Sequence, residues 1–169
     1  MTHPGQTPFE RDVLAHLDAQ IESARRLLGS ILAQGTAIRS RNVEVVLARL
    51  ADIKTEMDLR GRLESERTDL LVRAGAMLAV PAAAVTLEAM TGLMAEPTAE
   101  RARQRSAELR GLLDEVSREH GINRALMRQE LAFLDHLTRL LGREPDQAGY
   151  RPSGPAPQTQ THHVLNLQA

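Results

Sequence analysis

From Thr98 to Gly142 the chain runs without a proline, enough for one helix of about 65 Å. Along it Ala99, Ala102, Ser106, Leu109, Leu113, Val116, His120, Asn123, Met127, Glu130, Leu134, Leu137 and Leu141 recur in alternating steps of three and four. That seven-residue period belongs to helices packed side by side, so the fold class it predicts is all-α. In the last turns the seam widens. Leu126, Phe133 and Leu140 form a second apolar row beside Met127, Leu134 and Leu141, with Leu131 on the opposite flank. One partner helix covers two rows, whereas a wider arc needs a second cover.

The rest of the chain supplies partners for this helix. Thr7-Pro8-Phe9-Glu10 has the form of a capping box with proline at the first helical position. A first helix should run from there to about Gln34, stopped by Gly35, with Leu14, Leu17, Ile21, Ala24, Leu28 and Ile31 as its seam. A second begins between Thr36 and Asn42 and reaches about Val80, with Val43, Val46, Leu50, Ile53 and Met57 as its first seam. Ile53 and Leu113 are then core residues of a long hairpin made by the second and third helices. Between Pro81 and Pro97, Thr86 can cap a short helix from Leu87 to about Met94, whose Met90 and Met94 suit gap-filling at the bundle's end. The architecture expected is an elongated antiparallel three-helix bundle, or coiled-coil hairpin, with a short connecting helix.

Gly121 is the anomaly of the third long helix, since a glycine in a helix interior costs about 1 kcal/mol. It reads as a close helix crossing, with His120 and Asn123 hydrogen-bonded across it to fix register. A flexible joint is the alternative. Beyond Gly142, proline, glycine and glutamine dominate, so a helical domain over 1–142 and a flexible tail over 143–169 are expected. Val164, Leu165 and Leu167 end that tail, on a tether whose reach is about 25 Å. They can dock on the Leu126, Phe133 and Leu140 row.

Several function classes are excluded. A net charge of −1 without a basic block is no footprint for nucleic acid, and an aromatic share of 2% provides no stacking platform. With no cysteine there are no disulfides or thiolate metal sites. His162-His163 has no third ligand nearby, and His16 and His136 are expected at solvated or rim positions. Neither phosphate-binding loops nor Glu-x-x-His pairs occur, so no enzyme, no metal and no cofactor are expected. The longest apolar run, Ala76 to Val85, is broken by Pro81 and too short for a bilayer, and the amino terminus reads as no secretory signal. A cytoplasmic protein without membrane insertion is the expectation.

One family combines these features. The amino-terminal LxxQIESARRLLGSILAQ, the central LARLADIKTEMDLRGRLESERTDLL, and NRALMRQELAFLDHLTRLLG followed by GYRPSG and VLNLQA resemble flagellar export chaperones of the FlgN type. Asn123, the Leu126 to Leu141 series, Tyr150 and the terminal Leu165 to Ala169 match that pattern in order. Tyr150-Arg151 departs from its usual Tyr-Gly turn, and PAAAVTLEAMTGL looks like an elaboration. The resemblance implies a chaperone that binds the amphipathic terminal helices of flagellar hook-associated (hook–filament junction) proteins, prevents their premature assembly and delivers them to the flagellar export apparatus. The cargo-binding residues it implies are Asn123, Leu126, Met127, Leu131, Phe133, Leu134, Leu137, Leu140 and Leu141. The competing reading is a structural protein, a homodimer or larger homo-oligomer that buries the wide arc against its own copies.

Overall fold

A computed structural model describes residues 6–141, and every regular element among them is helical. The first helix, α1 (Pro8–Arg39), opens with the expected box. Thr7 Oγ1 accepts from the Glu10 amide at 3.2 Å, and the Glu10 carboxylate accepts from the Thr7 amide at 2.7 Å. Two of the free amides at the helix start are thereby satisfied. The helix does not stop at Gly35 but continues to Arg39, a correction whose cause lies in the packing described below. Arg41, with φ 54°, turns the chain, and Asn42 caps α2 (Val43–Leu78) by accepting from the Val45 amide.

Ala79, in the left-handed conformation, and Pro81 end α2. A short 3-10 turn over Ala82–Ala84 leads to α3 (Leu87–Thr91), which Thr86 caps through the Ala89 amide. α3 is shorter than the stretch to Met94 that its sequence suggested. The last helix, α4 (Glu96–Leu141), starts one residue before Pro97, in the first turn, where proline's missing N–H costs nothing.

Ion pairs and hydrogen bonds give the directions. Asp12 meets Arg73, His16 meets Glu66 and Arg26 meets Glu56, so α2 returns antiparallel along α1. Glu10 meets Ala95, Arg25 meets Glu108 and Ile31 meets Asn123, so α4 runs parallel to α1. Both apolar clusters are organised on α1 rather than on a hairpin of the second and third long helices. Phe9 and Val13 pack with Leu70, Ala74 and Met90, and Ile21 and Ala24 pack with Leu109. Met90 is buried and Met94 packs beside it, as filler at the end of the bundle. Ile53 and Leu113, expected as core, are only half-buried, while Val43, Leu50 and Met57 of the same expected seam are exposed.

Contacts divide the chain after Phe133 into Met1–Phe133 and Leu134–Ala169. The expected boundary at 142/143, the tail, Tyr150 and Val164, Leu165 and Leu167 all lie outside the described residues. No helix among those described is long and apolar enough to cross a membrane.

Candidate functional site

Asn123 is where α4 is locked to α1. Its amide Nδ2 donates to the Ile31 carbonyl at 2.7 Å and lies 3.4 Å from Gln34 Oε1, and the residue is buried. Inside a helix, the Ile31 carbonyl points toward the residue four positions on, which is Gly35. A Cβ there would stand 2.5 Å from Asn123 Oδ1. Gly35 is therefore the glycine of the close crossing, and it lets the amide approach without interrupting α1. Gly121 has open space where its Cβ would be, and His120 is exposed. The crossing expected at Gly121 is thus found at Gly35, with Asn123 making the bond that His120 does not.

Past Asn123 the apolar residues of α4 are progressively uncovered. Leu126 and Met127 are half-buried. Leu131 is 64% exposed and Phe133 47%, in a helix whose buried positions otherwise include Ala99, Ala102 and Leu109. In the last two turns Leu137 is half-buried, and Leu134, Leu140 and Leu141 are exposed. By their spacing Leu126 and Phe133 lie in one row on the helix surface, and so, in the segment after Phe133, do Leu137 and Leu140. Ile122, also exposed, falls on the same row and extends it by a turn. Sequence reasoning passed over Ile122 because it lies outside the seam through His120 and Asn123. Of the nine residues expected to bind cargo, Asn123 alone is turned inward and engaged, and the other eight are half-buried or exposed.

Arg41 frames the start of this row. Its Nε lies 3.3 Å from Glu130 Oε2, and its guanidinium stands 5.9 Å from the centre of the Phe133 ring. The left-handed turn between α1 and α2 thus supplies a cation over the ring face, which an aromatic quadrupole attracts.

Two buried or half-buried carboxylates hold the scaffold in place. Glu10 accepts from the amides of Ala95, at 2.6 Å, and Thr7, and these bonds hold its carboxyl below the usual range. Glu56 accepts from Arg26 Nε at 2.7 Å and from Ser23 Oγ at 3.1 Å. The Arg26 bond first, then Ser23, lowers its carboxyl, and the same bond to Glu56 raises the Arg26 guanidinium. His16, expected at a solvated position, is instead buried between α1 and α2. Gln20 Nε2 lies 2.6 Å from its Nε2 and Glu66 Oε2 lies 3.6 Å from its Nδ1. Gln20 engages Nε2, while the buried Nδ1 has no hydrogen-bond partner among the described residues. His136 is exposed, as expected.

What this face offers is apolar area on a helix, with one cation at its edge. Such a surface takes up another amphipathic helix. A family model described as FlgN protein matches residues 10–158. No curated protein and no solved structure matches the chain.

Proposed function

The chain belongs to the FlgN family, a family of flagellar export chaperones that bind flagellar proteins, and from that premise we propose what it carries and how. Its cargo is the amphipathic terminal helix of a hook-associated protein, held in the cytoplasm, kept from premature assembly and passed to the export apparatus. The observation that carries this reading is the exposure of Phe133, Leu134, Leu140 and Leu141, flanked by Leu131, on a helix whose Ala99, Ala102 and Leu109 are buried. A cargo helix with one apolar stripe buries that row and is ordered as it binds. The cost of ordering lowers affinity, which suits a complex that must release. Leu126, Met127 and Leu137 complete the contact, while Asn123 sets the register of the helix that presents it.

The test is calorimetric titration of the full chain with an isolated carboxyl-terminal helix from a hook-associated protein. Phe133→Asp should weaken binding at least about thirtyfold, as expected for loss of an interface anchor worth about 2 kcal/mol. Because Phe133 is half exposed, the thermal midpoint should hardly move. Undiminished binding by the variant would remove α4 as the cargo face. A wild-type protein indifferent to every such helix would favour the structural, cargo-free reading.

A further inference from the structure

We propose that the outer face of the first half of α2 pairs two copies of this chain, antiparallel about a twofold axis between Leu47 and Leu50. Val43 and Leu47 are 67% and 60% exposed, and Leu50 and Met57 are exposed too. Together with Lys54 they follow one another in steps of four and three, which makes a single stripe on a helix. The positions of α2 that face inward, Glu56 bonded to Ser23 and Arg26, then buried Leu63 and Leu70, fall nearly half a turn away. The stripe therefore looks outward along about 21 Å of helix. A contiguous apolar patch of that kind marks an interaction surface.

Charge selects the occupant. Lys54 lies within the stripe and is the only lysine of the chain. Among the described residues the ion pairs of this half of α2 are Arg49 with Asp52 and Glu56 with Arg26, and Lys54 joins neither. A partner that covered the stripe with apolar groups alone would bury an unpaired ammonium, at heavy cost. Glu44, on the flank of the same stripe, is a suitable carboxylate, but ten residues put it about 15 Å from Lys54 of its own helix. A second α2 turned end for end removes that separation. Its Leu50 lies beside Leu47, and its Lys54 beside Val43 and within a residue of Glu44, and the twofold repeats each pairing. The stripe is thus complementary to itself in shape and in charge. Its length is short of a standard interface, so the dimer is reversible, with a Kd in the micromolar range.

Sedimentation velocity of the full chain from roughly 1 to 200 µM, a range that brackets weak interfaces, tests this. The mass should rise with concentration from 18.6 kDa toward twice that value. Leu50→Glu, at an exposed position, should leave the helical circular dichroism unchanged and sediment as a monomer throughout. Lys54→Glu and Glu44→Lys should each raise the Kd about tenfold, since two attractive pairs become repulsive. The double variant E44K/K54E should recover the wild-type constant, which no partner other than a second antiparallel copy would produce. A wild-type monomer across the range overturns the proposal. So does a dimer that Leu50→Glu leaves intact, or a double variant no tighter than the single ones. A monomer whose Leu50→Glu variant loses affinity for a cargo helix would overturn it by assigning the stripe to cargo.

Discussion

α1 and α2 carry apolar repeats of the same period, yet the two helices present them to opposite surroundings. Ile21, Leu27 and Ile31 of α1 are buried, whereas Val43, Leu47 and Leu50 of α2 stand in the open. The difference is the number of neighbours. α1 lies along both α2 and α4, so its apolar positions on more than one side find cover. α2 turns Glu56, Leu63 and Leu70 toward α1, and its first apolar stripe is left outside. A seven-residue period therefore says that a helix has an apolar face. It does not say that the face is covered within the same chain.

Truncating one residue from each helix separates the two surroundings most directly. Ile31→Ala should destabilise by about 2–5 kcal/mol, because it opens a cavity at a site with 2% exposure. Leu47→Ala should stay within about 0.5 kcal/mol in dilute solution, as an exposed change. Chemical denaturation of both variants checks the pair, and equal losses would mean that the two faces are equally covered.

The start of α1 offers a second, slightly smaller effect. Glu10→Gln removes a carboxylate that accepts from Ala95 and Thr7, and should cost about 1.5–3 kcal/mol at neutral pH. The native carboxyl is held low, so its contribution is complete above the unfolded carboxyl pKa and is lost as pH falls through the native value. Denaturation midpoints of wild type and variant should therefore converge below about pH 4. A difference that persists undiminished in acid would mean the charge is not what matters.

Two glycines should respond in opposite directions. Gly35→Ala places a methyl 2.5 Å from Asn123 Oδ1, so the amide must leave the Ile31 carbonyl, at about 1–3 kcal/mol. Gly121→Ala meets nothing within 4 Å and should stabilise by about 1 kcal/mol through helix propensity alone. Opposite shifts in thermal midpoint are the expected outcome. A destabilised Gly121→Ala protein would return the crossing to the place the sequence suggested.

These cases also show what could be read in advance. The Thr7 box and the Thr86 cap were legible because each depends on residues three apart, and the structure has both. Helix class was legible for the same reason, since periodicity is local. Gly35 was misread as a stop because a glycine's local preference is all a sequence displays. Its reason for being there is a side chain on α4. His16 was misplaced likewise, for its burial depends on Gln20 and on Glu66 of another helix. Which apolar stripe of α2 faces inward is a property of the assembled bundle, and no window along the chain contains it.

The bond from Glu10 to the Ala95 amide joins positions 85 residues apart. By contrast α1 and α2 are linked by the few residues between Arg39 and Val43. Closing the short loop loses less chain entropy, so the α1–α2 pair should assemble early and α4 should dock on it afterwards. A contact formed after the rate-limiting barrier influences only the reverse reaction. Glu10→Gln should then accelerate unfolding by nearly the full factor of its destabilisation while the refolding rate stays almost constant. The carboxylate that ties the start of α1 to the start of α4 would act as a brake on opening, setting how long the chain stays folded rather than how fast it gets there.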